Sequence, residues 1–345
     1  MMVSLKYLSA REGLPQERFY IGEIGIRIHE LKTAQVVATS VAILIVVGVI
    51  GYFVAMSGGS VSSSTSRSIA GSRIRHVIII VMENEGYDKV VSSSSAPYQN
   101  LLISRYANAA NYNAVSHPSL PNYVAMVAGD TLGVTSDCQP RQCSFQDATI
   151  TNLLDSHGLS WREYAESMAV NCSQSISQDS LYFPKHNPFV YFSSVTNNTG
   201  SGLTSQYCNS HVVPFTRFWN DLQSPNLPNF AFITPNICDD GHDCSLSTGD
   251  DWLSTVIPRI INSSSFSSTA LFVVYDEGSG SGANSPSRVL CILVSPFAKA
   301  GYSSNAQYSH YSLLATVETI FSVGNLGRND STAGPMSDLF TINLS

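Results

Sequence analysis

Arg75-His76-Val77-Ile78-Ile79-Ile80-Val81-Met82 is a near-unbroken run of β-branched and other apolar residues. It lacks polar alternation, so both of its faces must be covered, which describes a buried strand of a parallel sheet. The run ends in Glu83-Asn84-Glu85-Gly86-Tyr87-Asp88, and open α/β sheets bind their ligands at the carboxyl ends of their strands. Working outward, two more segments repeat the design. Ala270 to Tyr275 runs straight into Asp276-Glu277-Gly278, and Asn229 to Ile233 leads through Thr234-Pro235-Asn236 to Asp239-Asp240-Gly241-His242-Asp243. A further strand is expected over Val289 to Val294. Helical spacing of apolar residues marks Pro97 to Ala107, Asn122 to Ala128, Ala148 to His157, Asp251 to Ile261 and His310 to Val323. The last has Ser309 as its expected N-cap and Gly324 as its stop. Strands and helices in alternation predict an α/β fold with a largely parallel sheet flanked by helices.

Leading into the second of these helices is His117-Pro118-Ser119-Leu120-Pro121-Asn122-Tyr123. Pro121 suits a first helical position, where a missing N–H costs nothing. Ser119 then sits at a helix start, where free N–H groups and the dipole favour an anion. That geometry suits a serine that attacks, and briefly carries, a phosphoryl group. A serine before a helix is also the commonest cap, so the segment gains weight only beside the acidic strand ends.

Taken together, Met82-Glu83-Asn84, the His117 to Tyr123 segment, Thr234-Pro-Asn followed by Asp240-Gly-His242-Asp, Tyr275-Asp-Glu-Gly and Ser309-His310-Tyr-Ser-Leu-Leu resemble the phosphoesterase family. That family holds acid phosphatases and phospholipase C-type enzymes within the alkaline-phosphatase superfamily. The resemblance runs in order from Arg75 to about Leu326 and implies an alkaline-phosphatase-like fold. It implies metal binding by Glu83, Asn84, Asp276 and Glu277, and a nucleophile at Ser119. Asp240, His242 and His310 would complete the metal or phosphate site. Better-known relatives outside the family have His where this chain has Glu277, which leaves the number and identity of the metals open. His117, His242 and His310 each have the chemistry to bind phosphate, ligate metal or protonate a leaving group. Asn122 either cradles phosphate or stabilises the helix start. The expected cofactor is a divalent metal, since mixed oxygen and nitrogen donors suit several ions.

The chain divides unequally. No residue from Thr33 to Ser66 is charged, and 34–56 is a nearly continuous apolar run, long enough for a membrane-spanning helix at about 20 residues. A cleaved signal peptide is the competing reading, but about 30 residues precede the run, more than a usual n-region. Lys and Arg on its N-terminal side favour a cytoplasmic N-terminus. The expected order is a cytoplasmic segment 1–33, a transmembrane anchor 34–56, a Gly/Ser-rich tether 57–72 and an extracellular domain 73–345. The expected localisation is single-pass in the cell membrane, or secreted if the run is cleaved.

From residue 73 onward, twelve Lys and Arg face twenty-one Asp and Glu, a net charge near −9 with no basic run. Nucleic acid is excluded as a partner, because affinity for it comes mainly from Lys and Arg. A small phosphate ester would have to be held by metal and helix N-termini. Charged residues are only 12% of the chain, against about 25% in typical soluble domains. Sequons at Asn171, Asn197, Asn262, Asn329 and Asn343 suit a glycosylated exterior surface.

All seven cysteines follow the apolar run. Cys138 and Cys143 bracket one short loop, Cys238 and Cys244 another, and Cys172 and Cys208 would close a longer one. Zinc ligation is the alternative, but an exported chain favours disulfides, leaving Cys291 as a free core thiol. The region Ser173 to Phe215 has weak periodicity and is expected to be an irregular excursion, either a lid or substrate wall or a decorated surface loop.

The leading function is thus an extracellular metal-dependent phosphomonoesterase acting through phosphoserine. A phosphodiesterase or phospholipase C and a non-catalytic surface glycoprotein are the alternatives. Oligomeric state is not legible in the sequence.

Overall fold

The computed structural model describes residues 73–197, 205–279 and 287–344. The expected cytoplasmic segment, transmembrane helix and tether lie outside the described residues. No helix among the described residues is long and apolar enough to cross a membrane.

Eleven strands are present among the described residues: β1 His76–Met82, β2 Ala107–Ala109, β3 Tyr112–Asn113, β4 Trp161–Ala165, β5 Val212–Pro214, β6 Phe230–Thr234, β7 Thr269–Tyr275, β8 Arg288–Val289, β9 Cys291–Val294, β10 Tyr302–Ser304 and β11 Tyr308–Ser309. Eight of them form one sheet in the order β10-β2-β9-β7-β1-β6-β4-β5. Only β9 runs against its neighbours β7 and β2; the other pairings are parallel. The remaining three, β11-β3-β8, make a small second sheet.

The solid apolar runs became the centre of the main sheet. β1 lies between β6 and β7, with Ile79 opposite both Phe232 and Phe272, and every residue of β7 is buried. Because these three central strands are parallel neighbours, their carboxyl ends, with Glu83, Asp276 and the Asn236–Asp243 loop, emerge together. The backbone ties them: Glu83 N–H donates to Asp240 O and Asp276 N–H to Met82 O, both at 2.9 Å.

Several elements differ from expectation for local reasons. The run Val289 to Val294 breaks at Leu290, giving β8 to the small sheet and β9 to the large one. β4 escaped notice because Arg162 and Glu163 interrupt its apolar residues, yet Glu163 is fully buried and accepts from Thr234 Oγ1 at 2.8 Å. β5 carries Pro214 on the sheet edge, where a missing N–H is tolerated. The helix with Ser119 begins at that residue rather than at Pro121, and spans Ser119–Ala128 entirely buried. It ends at Gly129, whose φ of +70° favours glycine, and any Cβ there would strike Asp330. The C-terminal helix, His310–Phe321, is capped by Ser309 but stops at Ser322, two residues before the expected glycine. These two helices pack on each other, as do Pro97–Arg105 and Leu246–Ile261.

Disulfides join Cys138–Cys143, Cys172–Cys208 and Cys238–Cys244, and Cys291 is free and buried in β9. This is the pairing that the spacing suggested. The excursion Ser173 to Phe215 contains two short 3-10 turns, Pro184–His186 and Pro188–Tyr191, and the helices Ser193–Thr196 and Gln206–His211. Much of it is buried rather than decorative, with Phe189, Val190, Tyr191 and Phe192 in the core.

Candidate active site

Ser119 is buried at the first position of its helix, and its Oγ donates to Glu83 Oε2 at 3.0 Å. Glu83, directly after β1, is fully buried. Its other oxygen, Oε1, lies 3.2 Å from His186 Nε2, and His186 Nδ1 lies 3.1 Å from Asp240 Oδ2. Neither approach is aligned as a hydrogen bond. Among the described residues, Glu83 Oε1, His186 Nε2, Asp240 Oδ2 and Asp276 Oδ2 are buried ligand atoms without an aligned hydrogen-bond partner. Such atoms are costly to leave unpaired, and carboxylate oxygens beside an imidazole nitrogen are the donor set of a divalent cation. The ligating atoms of Glu83, His186 and His242 lie within 4.8 Å of one another. On this test the residues fit a bound metal.

Electrostatics point the same way. Burial pushes Glu83 well above the ordinary carboxylate range, and the charges of Asp276 and Asp240 push it further. Burial raises Asp276 to about 7 and Asp240 to about 8. Glu277 rises to about 8, first from burial and then from Asp276. Four carboxyl groups here resist ionisation together, more negative charge than the one nearby ammonium, Lys185, offsets, and a cation would supply the remainder.

The other expected residues fall into distinct places. Asp276 Oδ1 accepts from the backbone N–H groups of Glu277 at 2.5 Å and Asn84 at 3.3 Å. Asn84 thus supports Asp276 through its main chain, at a left-handed φ of 59°. Glu277 Oε2 lies 2.7 Å from His117 Nδ1. Asn122 is turned into its own loop: Oδ1 accepts from the N–H groups of Val115 and Ser116, and Nδ2 donates to Ser116 O. Its reach to Glu277 Oε2 is a longer 3.4 Å, so helix-start stabilisation is its evident work.

His310 stands behind Asp276, fully buried. Nε2 lies 2.6 Å from Asp276 O, which only accepts, so Nε2 carries the proton and Nδ1 accepts from Tyr112 OH at 3.0 Å. Burial lowers its pKa to about 4, and with both nitrogens engaged it serves to hold Asp276. His242 gives its N–H to Asp240 Oδ1 at 2.8 Å, while Nδ1 faces Asp243 and Nε2 faces Lys185.

Two residues at the centre were not anticipated, Lys185 and His186. Both come from the turn Pro184–His186 in the excursion. His186 stacks on Tyr123, with ring centroids 5.3 Å apart and planes at 10°. Burial holds its pKa well below the usual histidine value, with Lys185 and His242 adding to the effect. The available signal was Pro184-Lys-His-Asn-Pro188, an imidazole and an ammonium bracketed by two prolines in otherwise structureless sequence.

The fold recurs in solved structures. A protein of the alkaline phosphatase superfamily from Vibrio parahaemolyticus superposes with a TM-score of 0.52 at 11% identity, over 77% of this chain and 72% of its own. Human ectonucleotide pyrophosphatase/phosphodiesterase 5 gives 0.51 at 10% identity, over 77% and 100%. These define an alkaline-phosphatase-like α/β fold. Residues 91–324 match the phosphoesterase family, and the chain belongs to that family. Its relatives include a probable acid phosphatase of Kluyveromyces lactis, 32% identical over 77% of this chain and 62% of the relative. An acid phosphatase of Aspergillus fumigatus is 32% identical over 77% and 59%. A phosphatidylinositol-3-phosphatase of Mycobacterium tuberculosis is 30% identical over 77% and 82%. The chain thus spans about 60% of the length of the two fungal relatives.

Proposed function

We propose that residues 73–345 form a metal-dependent phosphomonoesterase of acid-phosphatase type, working outside the cell through a phosphoserine on Ser119. The observation that carries this reading is Ser119 Oγ held by Glu83 beside four buried, unpartnered ligand atoms. Glu83, Asp240, Asp276 and His186 would hold a divalent ion, which when bound neutralises phosphate oxygens and acidifies a neighbouring hydroxyl. Ser119 attacks phosphorus in line with the departing oxygen, its proton moving along the existing hydrogen bond to Glu83 Oε2. The start of its ten-residue helix favours the anion. His117, oriented by Glu277, is placed to protonate the leaving oxygen. Water then hydrolyses the phosphoserine. His310 moves no proton and keeps Asp276 in place.

The fungal acid phosphatases support monoester chemistry. The Mycobacterium tuberculosis relative, matched over 82% of its length, favours a second substrate reading, a phosphate monoester on a lipid headgroup. A membrane anchor at 34–56 would bring the domain to such a substrate, and three disulfides support an oxidising exterior. Purified 73–345 assayed on a monoester and a diester, with and without chelator, tests the function. Monoester turnover that chelation abolishes is expected; chelator-resistant turnover contradicts the metal. Protease added to intact cells should release the active domain, and protection of the domain contradicts its exterior location.

A further inference from the structure

The excursion brings a single positive charge into an acidic site. Lys185 Nζ lies 3.2 Å from Asp137 Oδ2 and 3.0 Å from His242 Nε2, with its side chain only 13% exposed. Asp137 Oδ1 in turn accepts the N–H of Leu120 at 3.0 Å, one residue past the proposed nucleophile. His242 in turn gives its backbone N–H to Asp240, one of the proposed metal ligands, at 2.8 Å. The ammonium therefore stands between the nucleophile's helix and the proposed metal ligands. Its charge favours the ionised forms of Glu83, Asp240 and Glu277. Four arginines are spent elsewhere: Arg162 and Arg217 on Asp221, Arg288 on Asp88, and Arg328 on Asp147.

An ammonium has three donors and no acceptor. His242 Nε2 must then accept from Lys185, which fixes the proton on Nδ1, facing Asp243 Oδ1 at 2.7 Å. Asp137 takes a second donor. The third has no partner among the described residues.

We propose that Lys185 is the specificity-determining residue of this site, giving its third N–H to a terminal oxygen of a phosphomonoester and so selecting monoesters over diesters. This rests on the phosphatase reading above. A monoester carries close to two negative charges near neutral pH, whereas a diester carries one. The fixed carboxylates nearby repel both, and the ammonium offsets that repulsion most for the anion of higher charge. The lysine is preorganised: Pro184 and Pro188 restrict the backbone on either side, and the next residue, His186, is clamped against Tyr123.

The test compares wild type, Lys185→Met and Lys185→Arg on p-nitrophenyl phosphate and bis(p-nitrophenyl) phosphate, with inorganic phosphate as inhibitor. In Lys185→Met, monoester KM and the phosphate inhibition constant should rise about ten- to hundredfold, the scale of one lost charge-assisted hydrogen bond. Diester kcat/KM should stay within about threefold, and Arg should restore most of the monoester preference. Metal content of Lys185→Met should equal wild type by elemental analysis. Equal losses on both esters would make the lysine merely structural, and unchanged selectivity would remove it from recognition; either result overturns the proposal. Wild type inactive on both esters would instead overturn the phosphatase reading. Calorimetric phosphate binding to wild type and Lys185→Met would then decide the lysine alone, with equal affinities counting against it.

Discussion

The carboxyl ends of β1 and β7 and the excursion Ser173 to Phe215 meet at one site, but they reach it by different physics. The strand ends are placed by the sheet: Val77, Ile78, Ile80, Val81 and Met82 are fully buried, as are Ala270 to Val274, so parallel pairing fixes where Glu83 and Asp276 emerge. The excursion has no sheet to guide its turn. Pro184, Pro188, the stack on Tyr123 and the Cys172–Cys208 disulfide hold it instead. The lesson is that a rigid frame positions the nucleophile and carboxylates, while a pinned loop supplies the cation and imidazole that balance them.

The largest effect expected is on the sheet side. Ser119→Ala should cut monoester turnover by at least about a thousandfold, because the nucleophile is lost. Stability should fall by only about 1 kcal/mol for one hydrogen bond. Activity within a few-fold of wild type, in a mutant with a normal melting curve, would remove Ser119 from the chemistry.

A smaller effect separates support from chemistry. His310→Ala should lower turnover about ten- to hundredfold by loosening Asp276, the usual scale for a residue orienting a ligand. Since His310 titrates at about 4, the shape of the pH–rate profile above pH 5 should not change. A lost limb in that profile would make His310 a proton donor after all.

The smallest effect is a pH dependence of stability. Asp276 and Asp240 titrate at about 7 and about 8 in the metal-free fold, against an ordinary 3.8. Folding raises these pKa values, so their stabilising contribution is complete below about pH 4 and is lost as pH rises through 7 to 8. His186 and His310 are depressed by burial and act with the opposite sign, but only below their ordinary 6.5. Between about pH 6.5 and 8.5 the chelated domain should therefore melt at progressively lower temperature. Added divalent metal should raise the melting temperature most at the upper end, where the ligands have lost their protons. A chelated domain that grows more stable across that interval would show that the carboxyl cluster is compensated without metal.

The same contrast explains what could be read in the sequence. β1, β6 and β7 were legible because unbroken apolar runs can only be covered strands, and the acidic residues after them had one direction to go. The short strands Ala107–Ala109 and Tyr302–Ser304 are too brief to show a period. Lys185 and His186 were missed because a 3-10 turn of three residues leaves no periodic trace. Composition shows no basic run and leaves phosphate to the metal and helix ends alone; one half-buried lysine is invisible to such a count. Side-chain direction was also beyond the sequence: Asn122 faces the backbone of its own loop, and His310 faces Asp276 O and Tyr112 OH.

On the proposed reading the two regions hold one cation between them. Elemental analysis of purified His186→Ala beside Asp276→Asn tests it directly, with folding checked by thermal melts. Both variants should lose most of the divalent metal that wild type retains, because each removes one of the four buried, unpartnered ligand atoms. Full stoichiometry and unchanged affinity in folded His186→Ala would contradict the account, leaving the excursion as a wall around a site that the strand ends build alone.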